Sequence, residues 1–186
     1  SSPLPANSFA LTHDEQKIIG RHRSSLKSPF RLVAYNWKTK QAETLTTPID
    51  STYGDFYFAL SPDGKTLAFT RCSAGELGYI CTKSLIDGKV NRVTPEEQNI
   101  NSLSWTADGQ EIIFSHSDNE LNYFSSAGLS RVTASGGTPE PMPSNSMRAQ
   151  NPAISLKGQL LAYCTGPSRA SAFYRLNLKS KTEELS

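Results

Sequence analysis

The residues best suited to binding a ligand or partner are arginines and histidines at recurring positions along the chain. His22 and His116 each lie seven residues after the glycine place of a recurring turn, and Arg71 and Thr165 occupy the matching places in the other two copies. Equivalent positions in a radial repeat lie around one axis, so this polar set could line a rim and contact a ligand or partner. The alternative is that strand ends are polar because they meet water.

A locally basic stretch surrounds the first of these histidines. Its members are Arg21, His22, Arg23, Lys27 and Arg31. Such a group of cations could hold an acidic protein surface or a phosphate. A solvated loop is the alternative, and without interleaved aromatic residues the stretch is weak evidence for a nucleic-acid site. The candidate partner-binding residues are therefore Arg21, His22, Arg23, Arg71 and His116.

Two cysteines flank the segment SAGELGY. Cys72 precedes this segment closely and Cys81 follows it, at places that face each other across a predicted hairpin. We therefore consider them a candidate disulfide, which would indicate an oxidising compartment. The alternative is a pair of unrelated buried thiols. Cys164 lies in an apolar strand segment and is expected in the core.

Motifs of metal sites and enzymes are sparse. The sequence has no Cys-x-x-Cys pair or paired-histidine spacing for zinc, and the acidic run Asp118, Asn119, Glu120 lacks the alternating oxygen ligands and glycine of a calcium loop. It also has no Gly-x-Ser-x-Gly nucleophile elbow, His-Glu-x-x-His motif or phosphate-binding glycine loop. We predict no metal, no cofactor and no catalytic residue.

Composition excludes several classes of protein. The 186 residues are 37% hydrophobic and 19% charged, and no run approaches the roughly 18 to 20 apolar residues that cross a bilayer. A net charge of +2 is too small for nucleic-acid binding that depends on a strong overall field. With 8 Phe, 7 Tyr and 2 Trp, the chain is too aromatic for a disordered tail.

The chain consists of four copies of one repeat. The clearest copy is FALSPDGKTLAFT, which begins at Phe58, and the others begin at Phe9, Leu103 and Pro152. The sixth place of each copy is occupied by Asp14, Asp63, Asp108 and Lys157, at intervals of 49, 45 and 49 residues. A strand, turn, strand pattern follows each copy in the same register. Such regularity predicts one supersecondary unit repeated four times.

Each unit is predicted to be a sheet of four short antiparallel strands. Asp63-Gly64 and Asp108-Gly109 mark the first turn in two units, and Gly158 marks it in the fourth, because glycine accepts the positive φ of a tight turn. The apolar strands need cover on both faces, which neighbouring units would supply. We therefore predict an all-β propeller of four four-stranded antiparallel blades, at residues 5–48, 53–96, 99–145 and 149–186.

The segment Ser61-Pro62-Asp63-Gly64-Lys65 resembles the repeat motif of the TolB-like family of β-propellers. The third copy keeps Asp108-Gly109, the fourth keeps only Gly158, and the first keeps Asp14 with Glu15 in the glycine place. The resemblance implies a propeller used for binding, in which the motif shapes a turn and is not catalytic. Together with the candidate disulfide, the resemblance also implies a bacterial periplasmic location. Similar blades form the extracytoplasmic sensing part of membrane-anchored transcription regulators of the CadC and ToxR type, so the resemblance implies that this chain is such a sensor portion.

Closure of the ring stays open at this level. Either four blades close by side-chain packing alone, or they belong to a larger ring, or two chains complete each other as a homodimer. The chain begins at Ser1 without a signal segment, which suggests a piece of something longer.

The function expected from the sequence is non-enzymatic recognition of a protein or peptide, with no direct nucleic-acid binding and no membrane insertion. One alternative is the accessory propeller of a prolyl-oligopeptidase-type serine peptidase, whose hydrolase domain would lie elsewhere. A third possibility is a carbohydrate or small-ligand lectin, for which Tyr53, Phe56 and Tyr57 are the candidate exposed aromatic residues.

Overall fold

The computed structural model of the chain describes residues 9–75, 77–95, 97–117, 128–142, 149–155, 157–165 and 172–185. Within these ranges every regular element is a β-strand, and the strands are β1 (Phe9–Leu11), β2 (Lys17–His22), β3 (Arg31–Asn36), β4 (Ala42–Thr44), β5 (Gly54–Leu60), β6 (Thr66–Ala74), β7 (Leu77–Ser84), β8 (Val90–Arg92), β9 (Gln98–Trp105), β10 (Glu111–Ser117), β11 (Gly128–Thr133), β12 (Glu140–Pro141), β13 (Ala149–Ile154), β14 (Leu160–Thr165), β15 (Ala172–Asn177) and β16 (Glu183–Leu185).

The strands form four antiparallel units of four, which we number units 1 to 4 in chain order. Units 1 and 4 are separate sheets, with the orders β1-β2-β3-β4 and β13-β14-β15-β16. Units 2 and 3 are joined into one larger sheet by a short pairing of Leu77 and Gly78 on β7 with Asn99 and Gln98 on β9. The prediction of an all-β chain built from four-stranded antiparallel sheets is confirmed.

The turn between the first and second strands has nearly the same geometry in three units. In unit 2 the Ser61 hydroxyl donates to the Asp63 carboxylate at 2.6 Å, and the amides of Lys65 and Thr66 bond Asp63 and Ser61 at 3.0 and 2.9 Å. Thr12 with Asp14, and Thr106 with Asp108, repeat the arrangement. The glycine place has φ of 71° at Gly64, 69° at Gly109, 67° at Gly158 and 54° at Glu15. Side-chain oxygens therefore satisfy the backbone of each of these three turns.

Each unit packs on its neighbour with opposite faces of its sheet. We call the face toward the preceding unit the leading face and the face toward the following unit the trailing face. Phe58, Leu67 and Phe69, on the leading face of unit 2, pack against Ile19 and other apolar side chains on the trailing face of unit 1. The same arrangement places Trp105, Ile112 and Phe114 of unit 3 against unit 2, and Leu161, Tyr163 and Leu176 of unit 4 against unit 3. The core is therefore a series of interfaces between units. Burying one such side chain stabilises the fold by roughly 1.5–3 kcal/mol.

The four units form an open series. Unit 1 contacts unit 2 through β3 and β5, unit 2 contacts unit 3 through β5 and β9, and unit 3 contacts unit 4 through β9 and β13. In the part of the chain that the structure describes, no comparable contact joins unit 1 to unit 4. These four units do not close a ring through such contacts.

The structure corrects the candidate disulfide. Cys72 and Cys81 are both buried and form no disulfide with each other. In the β6–β7 pair Cys72 is opposite Gly78 and Cys81 is opposite Phe69, three residues from Cys72 along β6. Side chains alternate between the faces of a strand, so an odd spacing places the two thiols on opposite faces of the sheet. Being close in the hairpin is not sufficient, because a disulfide also requires both Cβ vectors to point toward each other.

Candidate functional site

Cationic and aromatic side chains meet at the end of the interface between units 1 and 2. This arginine–aromatic shelf consists of Arg21, Arg23, Phe30, Tyr53 and Phe56. Arg21 is near the end of β2, Arg23 and Phe30 belong to the β2–β3 loop, and the other two residues lie just before β5 and within it. Folding therefore joins two segments of the sequence that are about 25 residues apart.

The three aromatic rings form one compact group. Tyr53 and Phe56 stack with parallel rings whose centroids are 5.0 Å apart. Phe30 meets both rings at an angle of 67°, with centroid distances of 6.1 Å to Tyr53 and 5.0 Å to Phe56. Phe56 is 8% exposed and Tyr53 is 46% exposed, so the buried part of the group anchors an accessible ring. Such edge and offset contacts favour a fixed arrangement.

Two arginines lie over these rings. The Arg21 guanidinium carbon is 4.7 Å from the centroid of Phe56 and 5.4 Å from that of Phe30, and the Arg23 carbon is 4.6 Å from the centroid of Phe30. Desolvation lowers the pKa of Arg21, an effect opposed by the nearby Tyr57 and Tyr53. Among the ion pairs formed by the described residues, neither arginine has a carboxylate partner. The shelf therefore presents two partly buried positive charges that no described acidic side chain neutralises.

Backbone contacts hold the shelf between the two units. The Phe30 amide donates to the Tyr53 carbonyl at 3.1 Å, and the Asp55 amide donates to the Phe30 carbonyl at 2.7 Å. Gly54, between the two partners, has φ of 115°, and a Cβ built there would lie 2.3 Å from the Phe30 backbone nitrogen and oxygen. Only glycine permits this close approach, which fixes the β2–β3 loop of unit 1 to the first strand of unit 2.

Arg71 lies beside the shelf but is bound within the fold. Its Nε and Nη2 groups donate to the two carboxylate oxygens of Asp55 at 2.8 and 3.0 Å, and Asp55 is fully buried. The hydrogen bonds from Asp55 raise the pKa of Arg71. An irregularity between Asp55 and Phe58 places both on the leading face, although strict alternation would place them on opposite faces. Arg71 thus has its charge neutralised by Asp55.

The two histidines occupy different surroundings. His116 forms a 2.9 Å hydrogen bond with the hydroxyl of Ser130 and packs against Phe114, so it is held inside unit 3. His22 is exposed and lies opposite Arg31 in the register of β2 with β3. Both residues are on the leading face of unit 1, the opposite face from Arg21. Of the predicted partner-binding residues, the structure therefore places Arg21 and Arg23 together in the shelf.

Side-chain acceptors on β9 were not anticipated from the sequence. The carbonyl oxygens of Gln98, Asn99 and Asn101 are buried and have no hydrogen-bond partner in the described part of the chain. Gln98 occupies in unit 3 the repeat position of Tyr53 in unit 2, so these acceptors lie at the same end of the first strands as the shelf. Their sequence signal is a run of amides, QNIN, at the start of β9.

Two clefts lie at the other end of the strands, beside the turns. One of about 430 Å³ lies between units 3 and 4 and includes Asp108, Glu111, Arg131, Lys157 and Gly158 in its lining. Another of about 540 Å³ includes Ser61, Asp63, Trp105, Asp108 and Gly109. Asp63 and Asp108 accept bonds that shape their turns, and Arg131 pairs with Glu111 and Glu140. Asp63, Asp108, Glu111 and Arg131 therefore already serve the fold.

Other predicted features add no second site. The lectin candidates divide, since Phe56 is buried, Tyr57 is partly buried and Tyr53 is accessible. The acidic run Asp118, Asn119 and Glu120 lies outside the described residues. Within those residues, no three His, Cys, Asp or Glu side chains converge as metal ligands. None of the described segments forms a helix with the length and apolar character to cross a bilayer.

Comparison with known proteins identifies the fold. No protein-family model and no curated protein matches the chain. Among solved structures, it is similar to TolB from Acinetobacter baumannii, with 20% identity and a TM-score of 0.75, over 96% of this chain and 42% of that one. A putative TolB from Agrobacterium tumefaciens is 14% identical with a TM-score of 0.78, over 96% of this chain and 64% of that one.

A third similar structure comes from a study of two prolyl endopeptidases. It is 14% identical with a TM-score of 0.68, over 96% of this chain and 28% of that one. The chain thus spans less than two thirds of each of these structures. At such identities the likeness concerns fold alone, and that fold is a TolB-like β-propeller arrangement, of which the described units form an open part.

Proposed function

We propose that the chain is a non-enzymatic recognition domain whose arginine–aromatic shelf binds an acidic segment of a protein or peptide. The TolB-like propeller fold supports a binding role. The observation that carries the choice of partner is the pair of guanidinium groups, Arg21 and Arg23, held over aromatic rings without a described carboxylate partner.

The shelf offers complementary contacts to such a segment. A planar guanidinium can donate two parallel hydrogen bonds to one carboxylate, and in a partly desolvated place these bonds are stronger than in water. The accessible ring of Tyr53 would cover an apolar side chain next to that carboxylate.

An extracytoplasmic setting fits this proposal. The resemblance of the repeat to TolB-like propellers favours the bacterial periplasm, where the domain would serve as the sensing part of a membrane-anchored transcription regulator. The gene that encodes the chain would then also encode a DNA-binding domain and a membrane-spanning helix.

The second candidate is the accessory propeller of a serine peptidase. The similarity to a prolyl endopeptidase structure favours this reading as a specific observation. A Gly-x-Ser-x-Gly segment in the same gene would support the peptidase and argue against the sensor.

Fluorescence anisotropy with a labelled acidic probe tests the shelf directly. The probe is the peptide Gly-Asp-Glu-Phe-Asp-Glu-Gly, and its comparator has Asn and Gln in place of Asp and Glu. We expect the acidic peptide to bind and the affinity to fall as NaCl is raised. Arg21→Gln with Arg23→Gln should weaken binding at least about tenfold, since a hydrogen bond to a charged group contributes roughly 1.5–3 kcal/mol.

A matched control separates the shelf from net charge. Lys38→Gln with Lys89→Gln removes the same charge at two exposed turn positions and should change the affinity less than about twofold. If the two double variants lose affinity equally, or the neutral peptide binds as well as the acidic one, the shelf is not an acidic-segment site.

A further inference from the structure

We propose that the leading face of unit 1 and the trailing face of unit 4 are the two halves of an interface between copies of this chain, which associate head to tail. This inference does not depend on the arginine–aromatic shelf. It rests on the exposure of apolar residues at the two ends of the series of units.

The first strand of unit 1 exposes residues that are buried in the inner units. Phe9, Phe58 and Leu103 occupy the same repeat position on the leading face, and they are 65%, 5% and 4% exposed. Leu11 is 56% exposed, whereas Trp105 at the equivalent position in unit 3 is 6% exposed. These side chains are apolar, like the residues that form the interfaces between the inner units, but no other unit of the described chain covers them.

The trailing face of unit 4 shows the same contrast. Phe173 pairs with Cys164 across β14 and β15, as Leu32 pairs with Arg21, Ile80 with Thr70 and Leu129 with Ser115. Leu32, Ile80 and Leu129 are 0%, 0% and 1% exposed, whereas Phe173 is 65% exposed. Phe173 therefore stands where the three preceding units place a core residue.

The two end faces fit the rule that the chain follows internally. At each interface between units, large residues of a leading face pack on a trailing face whose first two strands carry smaller or β-branched residues, as with Trp105 against Ala59 and Ala68. The Trp105 indole also donates to the Ala59 carbonyl at 3.0 Å. Unit 4 has Ala153 and Ala162 at the positions of Ala59 and Ala68, both exposed. The trailing face of one copy thus offers Phe9 and Leu11 of another copy a continuation of the same packing.

The contact is heterologous, which makes it testable by complementation. Leu11→Asp disables the leading face of unit 1 and leaves the trailing face of unit 4 intact, and Phe173→Asp does the reverse. In sedimentation velocity between 1 and 100 µM, we expect the unaltered chain to associate and each variant alone to be monomeric. An equimolar mixture of the two variants should form a dimer and nothing larger, because only one pair of intact faces remains.

Controls keep the outcomes interpretable. Ile86→Asp places the same charge at a 77% exposed turn residue remote from both end faces and should leave association unchanged. Circular dichroism must show the strand content of the unaltered chain in every variant, and Phe9→Ser replaces Leu11→Asp if that variant does not fold. A monomeric unaltered chain at 100 µM, self-association of either single variant, or failure of the mixture to dimerise would each overturn the proposal.

Discussion

Asp55 and Arg71 are directly opposite each other on β5 and β6, and the buried carboxylate receives two hydrogen bonds from the guanidinium. This pair lies beside the arginine–aromatic shelf, at the only irregularity in the pairing of β5 with β6. A buried carboxylate needs such a partner, because an isolated charge in an apolar environment is costly. The pair therefore explains why Arg71 serves the fold while Arg21 remains available.

Removing one partner of this pair should destabilise the chain strongly. Arg71→Ala leaves the Asp55 carboxylate buried without its counter-ion, so we expect the free energy of unfolding to fall by about 3–5 kcal/mol. Urea denaturation followed by circular dichroism measures the change. Arg131→Ala removes an arginine from an exposed ion pair with Glu140 and should cost no more than about 1 kcal/mol. Equal decreases in the free energy of unfolding of the two variants would show that the buried pair contributes no more to stability than the exposed pair.

Gly54 should tolerate no side chain. In Gly54→Ala the added Cβ would lie 2.3 Å from the Phe30 backbone, and the alanine would have to adopt a φ of 115°. We therefore expect the free energy of unfolding to fall by about 3 kcal/mol or more. The contact between the β2–β3 loop and β5 should loosen, and affinity for the acidic probe should fall with it. Gly128→Ala is the control, because a Cβ there has nothing within 4 Å, and its stability should change by less than about 0.5 kcal/mol. A stable Gly54→Ala protein would contradict the close approach.

The turn carboxylates should make stability depend on pH in the acid range. Hydroxyl and backbone N–H donors lower the pKa values of Asp14, Asp63, Asp87 and Asp108 below the ordinary value of 3.8. Because the folded pKa values are the lower ones, this contribution is fully present above about pH 4 and is lost as pH falls through the folded values. We expect the free energy of unfolding to fall below that pH in urea titrations. Asp63→Asn with Asp108→Asn should flatten the pH dependence, and an unchanged slope would rule out these carboxylates as its source.

The three cysteines should differ in reactivity. Burial raises the pKa of Cys81 to about 11, and Cys72 is also fully buried, whereas Cys164 is partly exposed on the trailing face of unit 4. Since the thiolate is the reactive form, Ellman's reagent should modify Cys164 first in dilute native protein. Denatured, non-reduced protein should yield three thiols. A yield of one would instead demonstrate a disulfide, and the variant Cys164→Ser would show which thiol reacted first.

The repeat made the fold predictable, whereas the candidate site was only half visible in the sequence. Four copies of a strand and turn pattern identify four sheets, because Asp-Gly turns and apolar strands are encoded locally. Arg21 and Arg23 stood out as a basic stretch, but their aromatic neighbours Tyr53 and Phe56 come from the next unit. Only the packing of unit 1 on unit 2 brings the two sets together, so no local pattern could reveal the shelf.

Two further properties depend on geometry that the sequence does not display. The spacing of Cys72 and Cys81 suggested a bridge, and only the register of β6 with β7 shows that the thiols face opposite ways. Whether four sheets close a ring depends on the angle between neighbouring sheets. Many small side-chain contacts together set that angle. Phe9 and Phe173 are apolar, as core residues are. Their exposure can be recognised only once the order of the units in space is known.

Because successive sheets join through the same pairing of opposite faces, the architecture is modular in length. Duplication or deletion of one segment of 45 to 49 residues would preserve the packing of a leading face on a trailing face at every remaining interface between units. Evolution could therefore alter the size of such an assembly in whole steps, without a new core for each size. The same modularity means that growth does not stop by itself, and a terminus must be capped by partner, symmetry or additional sequence.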